Sequence, residues 1–430
     1  VLQGAFTALH PALQSAVAET GYRTPTPIQE QTIAPLLAGK DMLGCAQTGT
    51  GKTAAFTLPI LQRLHERGGP AARTRPRALI LAPTRELAAQ IGDSIATYGK
   101  FLPLRHTVIF GGVGQQPQVT ALHRGPDIVV ATPGRLLDLL QQGHASLQDI
   151  EIFVLDEADR MMDMGFIHDV KKIIAKLPAQ RQSLFFSATL APEVIKLAHT
   201  LLHHPVSVTI TPEQPAVERI AQKVCFVDRA DKDTLLAEML QNPAYDKVIV
   251  FVQMKHMANR VVEKLAKAGI AAEAIHGNKS QGARTRAMDG FRAGKIRALV
   301  ATDIAARGID VDGITHVVNY DLPDAPETYV HRIGRTARAG ADGDAVSFCA
   351  ADDREALRDI EKLIRKTIPV DTAHRFHSPT AQHATGAAAR PAPKGQRGGG
   401  GGGRHQRQGG DRGGKAWGPS KRYGGGSRHR

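Results

Sequence analysis

"IFVLDEAD", residues 152–159, runs four apolar residues straight into a pair of adjacent carboxylates. A strand with one wet face would alternate apolar and polar side chains. This one does not, so it reads as a short strand covered on both faces, the mark of a parallel α/β sheet. The same form recurs in "ALILAP" (78–83), "DIVVATPG" (127–134) and "SLFFSAT" (183–189), with helical-length stretches between. The rhythm restarts at "KVIVFVQ" (247–253), "IRALVATD" (296–303) and "THVVNY" (315–320). Between the two series lies "TITPEQPAVER" (209–219), whose two prolines and charges read as a connector. The sequence therefore predicts two α/β domains, 1–211 and 217–370, with a linker at 212–216.

Nearly every polar cluster stands directly after such a run: "PTREL", "TPGR", "DEAD", "SAT", "ATD". Ligands of open parallel sheets bind outside the carboxyl ends of the strands. Two such edges turned toward each other would enclose a cleft.

The charge is unevenly distributed. Residues 371–430 hold twelve Lys and Arg against two Asp and Glu, and 16 of the 43 glycines. Such a segment cannot bury enough apolar surface to offset its ordering entropy, so it is expected to be a disordered basic tail. Its Arg and Gly suit loose contact with phosphate backbones, with Trp417 and Tyr423 available for stacking. A plain solubilising tail is the alternative. Cys45, Cys225 and Cys349 are too scattered for a metal or disulfide framework, and no apolar run approaches the roughly 18 residues a bilayer crossing needs. The opening residues lack the features of a secretory leader, and a cytoplasmic protein is expected.

"AQTGTGKT" (46–53) fits a phosphate-binding loop with Ala46 in place of the first Gly. Gly49 and Gly51 let backbone N–H groups turn inward, Lys52 reaches β/γ-phosphates, and Thr53 offers a hydroxyl to Mg²⁺. Asp156 then stands where a carboxylate would hold Mg²⁺ through water, and Glu157 where one would orient or deprotonate the attacking water. "HRIGRTARAG" (331–340) supplies the missing positive charge. Arg335 and Arg338, three apart, share a face if they lie on a helical turn. If the second domain presents them across the cleft, hydrolysis requires closure.

Together these motifs resemble the DEAD-box family of ATP-dependent RNA helicases over residues 6–370. The resemblance implies two RecA-like parallel-sheet domains in tandem. "GYRTPTPIQ" (21–29) is similar to the motif that reads adenine through a glutamine, here Gln29, and Phe6 to the upstream aromatic that stacks on the base. "AQTGTGKT" matches the family's first motif, its alanine included, so Ala46, Gln47, Thr48, Gly49, Thr50, Gly51, Lys52 and Thr53 are all implied in ATP binding. Pro83, Thr84, Arg85, Gly112, Thr132 and Arg135 resemble the RNA-contacting motifs of the first domain. Gln281 and Arg284 resemble the QxxR motif, placed with RNA, and Ser187, Ala188 and Thr189 the motif that couples hydrolysis to unwinding. "ATDIAARGID" (301–310) places Thr302 near RNA and Asp310 near the ribose. Ala337 departs from the family's usual Gly. The wording "DEADRMMDMGF" with the basic Gly-rich C-terminus resembles the bacterial RhlE-type subgroup.

The implied activity is ATP- and Mg²⁺-dependent remodelling of RNA through sequence-tolerant backbone contacts, in ribosome assembly or RNA turnover. The implied partners are ribosomal RNA or RNA-decay machinery, with no membrane. An ATP-gated RNA clamp that seldom unwinds uses the same residues. A superfamily DNA helicase is a third reading, and a small-molecule P-loop kinase would need no second domain with this repertoire and no basic tail.

Overall fold

The computed structural model describes residues 1–46, 49–68, 75–210, 220–306, 311, 313–337 and 343–389. Gln47, Thr48, the 212–216 linker, Asp310, Arg338 and the chain from 390 onward lie outside the described residues. Residues 1–391 make one compact unit.

Each continuous apolar run is a strand. β1 (Met42–Cys45), β2 (Ala78–Leu81), β3 (His106–Ile109), β4 (Ile128–Ala131), β5 (Ile152–Leu155), β6 (Gln182–Ser187) and β7 (Val206–Thr209) form one sheet in the order β3-β4-β2-β5-β6-β1-β7. A second sheet holds β8 (Ile220–Phe226), β9 (Val248–Phe251), β10 (Ala272–Ile275), β11 (Ala298–Ala301), β12 (His316–Asn319) and β13 (Gly343–Cys349), ordered β10-β11-β9-β12-β13-β8. Every pairing between these strands is parallel. The two-sided burial read from the sequence is literal. Ile80, Val130 and Val154 point into one core and Leu79, Val129 and Phe153 into the other, on the opposite face of the sheet.

Register sets the working edge. Cys45 pairs with Ser187, so β1 and β6 end level, and Leu81 with both Ala131 and Leu155, so β2, β4 and β5 do, two residues short of β6. The phosphate-loop candidate follows β1, the Asp156–Glu157 pair follows β5, and "SAT" closes β6 between them.

The basic tail begins later than its composition indicates. Residues 371–389 fold back along β8, the edge strand of the second sheet. Asp371 N–H donates to Val224 O and Ser378 N–H to Phe226 O, each at 2.9 Å. Lys223 pairs with Asp371 at 2.9 Å, Ser378 Oγ donates to Asp228 at 2.7 Å, and Ala381 is fully buried in the helix Pro379–His383. An edge strand presents unpaired N–H and C=O groups, and this segment answers them. Average composition over sixty residues hides so short a packed stretch. A chain ending at 370 should melt several degrees below one ending at 389, at about 2–4 °C per kcal/mol for a domain of this size. Equal melting temperatures in paired calorimetric scans would show the strap to be dispensable.

Among the described residues no helix is long and apolar enough to cross a membrane.

Candidate functional site

The loop after β1 leads into the helix Lys52–Glu66 through Gly51, whose φ of +91° lies in the left-handed region. A Cβ on Gly51 would stand 2.5 Å from Gln29 Nε2, so the close approach requires glycine as much as the dihedral does. Lys52 is buried and donates from Nζ to Ala46 O at 2.7 Å, across the cradle that phosphates would fill. Gly49 is also left-handed, at φ +86°. Thr50 lies in the turn between the two glycines, and Thr53 in the first turn of the helix is half-buried.

Gln29, expected to read adenine, sits against the phosphate loop. Its Oε1 accepts from Thr26 N–H at 2.9 Å and its Nε2 donates to Gly51 O at 3.1 Å. Both ends of the amide are thus engaged, and the residue braces the phosphate loop against the N-terminus of the helix Pro27–Leu37. Thr26 Oγ1, beside Gly51, is buried without a partner. Phe6, expected to stack on a base, packs as core in this arrangement. Its ring is 1% exposed, packed among the core residues of the first half, and has no free face. The 3₁₀ turn Gly4–Ala8 directs it inward, where burying an aromatic ring is worth about 1.5–3 kcal/mol.

Asp156 and Glu157 follow β5 and are both buried. Burial pushes the Asp156 carboxyl up to about 6 against the pull of Lys52, and the neighbouring Glu157 carboxylate adds to the rise. Burial acts in the same direction on Glu157, but Arg160, then Lys52 and Arg335, outweigh it and hold that carboxyl below its ordinary range. Arg160 donates to Glu157 Oε2 at 2.6 Å. Asp156 is therefore a buried carboxylate short of positive charge. Its oxygens and the Thr53 hydroxyl are hard donors, of the type a cation such as Mg²⁺ takes.

Asp159, the last residue of "DEAD", clasps the neighbouring motif. Its Oδ2 accepts from the N–H groups of Ala188 and Thr189 at 3.1 and 3.0 Å and from Thr189 Oγ1 at 3.2 Å. Ser187 is fully buried and passes its carbonyl to Ala46 N–H. The "SAT" turn thus touches both the phosphate loop and the acidic motif.

From the second half, Arg335 is buried and close enough for its charge to bear on Glu157. Arg335 stands past the end of the helix Pro326–Ile333, where the chain turns through Gly334 and Ala337 takes φ +54°; the other half of the expected pair, Arg338, lies outside the described residues. Arg332, one residue before that end, is 1% exposed and grips Asp303 at 2.5 and 2.8 Å, Asn319 and the Asp321 carbonyl, which moors the turn to the ends of β11 and β12. Ala337 is a strained position. A left-handed non-glycine residue costs about 1–2 kcal/mol, so Ala337→Gly should raise unfolding stability by about 1 kcal/mol after the glycine's entropy cost. A denaturant midpoint unchanged or lowered by that substitution would contradict the strain.

A cavity of about 450 Å³ is lined by Pro83, Thr84, Arg85, Thr132 and Arg135 from the first half and by Gly277 and Arg284 from the second. Gly112 backs it: its φ is +76°, and a Cβ there would fall 2.1 Å from Arg85 Nη1. Thr84 Oγ1 caps the helix Arg85–Tyr98 by accepting from Leu87 N–H. Burial, then the neighbouring Arg284 and Arg135, push the Arg85 guanidinium below the ordinary arginine range, with Glu86 opposing. Arg135 Nη1 and Arg284 Nε are buried without a partner. Crowded guanidiniums with unused donors suit an anionic ligand. Gln281 lies across the half-to-half seam, accepting from Arg85 at 3.4 Å. Thr302 is buried at the end of β11 and is not among the residues lining the cavity.

Sequence reasoning missed Glu86, Asp159, Arg160 and Arg332. Arg160 had a local signal, the i,i+3 spacing from Glu157. The others make contacts that no local pattern announces.

Comparison with known proteins decides the family. Residues 26–197 match the DEAD/DEAH box helicase model and residues 231–340 the helicase conserved C-terminal domain. A protein of Pseudomonas syringae pv. tomato named ATP-dependent RNA helicase RhlB is 44% identical over 85% of this chain and 93% of its own. The chain belongs to the DEAD-box helicase family. A second RhlB, from Pseudomonas aeruginosa, is 46% identical over 84% of the helicase. These relatives carry the name RhlB, so the RhlE-type subgroup indicated by the motif wording and the basic C-terminus is not supported. The helicase superimposes on S. cerevisiae Dbp5 bound to RNA and ADP BeF3 with a TM-score of 0.74, at 33% identity over 84% of this chain and 94% of that one. On Mss116p bound to ssRNA and AMP-PNP the TM-score is 0.76, at 29% identity over 85% and 77% of the respective chains.

Proposed function

We propose that this chain is an ATP-dependent RNA helicase whose two halves close together on ATP and single-stranded RNA. The observation that carries the reading is the approach of Arg335, from the second half, to Glu157 of the first. Charge that develops on a transferred phosphoryl group needs a guanidinium there, and only closure supplies it.

Lys52 and the backbone from Ala46 to Thr53 cradle the phosphates, braced by Gln29 through Gly51. Asp156 and Thr53 hold Mg²⁺, which when bound neutralises charge on the phosphate oxygens. Glu157 accepts the proton of the attacking water, and Arg160 holds its carboxylate ionised and oriented. Arg335, with Arg338 and Asp310 from outside the described residues, completes the nucleotide side. Ser187, Ala188 and Thr189, held by Asp159, transmit the state of that site to the neighbouring turn. Arg85, Arg135, Thr84, Thr132 and the Gly112 backbone take RNA phosphates and sugars from the first half. Gln281, Arg284 and Thr302 act from the second. Phosphate contacts position RNA without reading its sequence, so binding is sequence-tolerant and salt-sensitive. The reading extends to a cytoplasmic enzyme acting on ribosomal RNA or beside RNA-decay machinery, with the basic segment beyond 390 adding affinity.

The test is the steady-state ATPase rate of the full chain with RNA, with single-stranded DNA and with neither, alongside unwinding of a short duplex. RNA-specific stimulation with strand separation is the expected result. Stimulation without strand separation would make the protein an RNA clamp instead, and stimulation by DNA alone would overturn the RNA assignment.

A further inference from the structure

Among the described residues, Glu86 is the one carboxylate held at the seam between the halves inside the proposed RNA cavity. Asp138 also lines that cavity, but it is half-exposed and sits beside Arg135 on its own helix. Glu86 is 9% exposed, and its ion pair runs to Arg284 Nη2 at 3.0 Å. Gln281 Nε2 donates to the same oxygen at 3.4 Å. Both partners belong to the helix Gln281–Arg292 of the second half, and Glu86 stands in the first turn of the helix Arg85–Tyr98 of the first. The ion pair forms part of the wall between the 450 Å³ cavity and a second one of about 270 Å³ on its far side.

We propose that Glu86 is an electrostatic gate that makes RNA affinity depend on closure. The inference rests on the reading of the cavity as an RNA site and of the halves as closing with ATP. In the closed arrangement Arg284 neutralises Glu86, and Arg85, Arg135 and the free Arg284 Nε present net positive charge to the backbone. When the halves part, Arg284 and Gln281 leave with the second half. The bare Glu86 carboxylate then adjoins Arg85, cancels its charge and repels phosphate. RNA is accordingly held weakly by the open form and tightly by the closed one. An acid in the first turn of a helix also suits the helix dipole, but that role is indifferent to Arg284 and to nucleotide.

The test uses the full chain and a fluorescent single-stranded RNA, with Kd measured without nucleotide and with a non-hydrolysable ATP analogue. For the wild type the analogue tightens binding. Glu86→Gln should tighten binding without nucleotide and so shrink the ratio of the two Kd values by roughly tenfold, the scale of losing one buried charge contact. Arg284→Gln should weaken binding more with the analogue than without it, and adding Glu86→Gln to it should restore much of that difference. A Glu86→Gln chain that keeps the wild-type ratio, or weakens in both states by one factor, would overturn the gate and leave Glu86 a structural residue. A wild type whose RNA affinity ignores the analogue would instead overturn the underlying functional reading, and the gate with it.

Discussion

Glutamine in place of Glu157 should slow ATP turnover by about 10²–10⁴-fold, the usual contribution of a positioned general base. The substitution keeps the shape of the side chain and an oxygen for Arg160, which now donates at 2.6 Å. It removes the only function an amide cannot supply, acceptance of the water proton. ATP binding should survive and even tighten. Glu157 is a counter-ion to Lys52, Arg160 and Arg335, so its neutralisation leaves surplus positive charge where phosphates lie. Steady-state ATPase rates paired with titration of a fluorescent ATP analogue separate the two effects. Turnover within a few-fold of wild type would remove Glu157 as the base. Loss of binding together with turnover would show that the residue holds the site in shape.

Arg335→Ala should cost about 10³–10⁵ in RNA-stimulated turnover, the range for an arginine that meets a transferring phosphoryl group. Arg335→Lys should recover little, because a point charge does not reproduce the planar fork. The effect should fall on turnover at saturating ATP and RNA, since the cradle of Lys52, Gly49 and Gly51 belongs wholly to the first half. Arg335 is buried, so a thermal melt must accompany the assay to separate lost chemistry from lost folding. A folded alanine variant that still responds fully to RNA would refute the requirement for closure.

These two expectations draw on residues far apart in the chain, and the way each was found differs. Glu157 was legible at once because a carboxylate pair ends an unbroken apolar run, and strand direction alone puts it at the ligand edge. Arg335 was legible as a basic cluster between glycines, but in the fold it stands past the end of a helix rather than on one. The helix stops at Ile333 because Arg332 turns inward to Asp303 and the chain leaves through a left-handed Ala337. Phe6 packs as core in the fold, whereas an aromatic near a helix start reads equally as a base-stacking face or as core. Only the packing of the residues around it decides.

The features legible along the chain are those that depend on local period and on residue type. Four-residue apolar runs made the strands, their continuous burial made the sheets parallel, and the residues after them marked the working edge. Tertiary structure alone decided which charges meet. Glu86 and Arg284 are nearly two hundred residues apart, the Arg335 turn reaches Glu157 from the other half, and residues 371–389 return to cover β8. Such contacts depend on how two sheets and a returning strap are placed in space. No spacing rule along a chain encodes a distance between residues that only folding brings together.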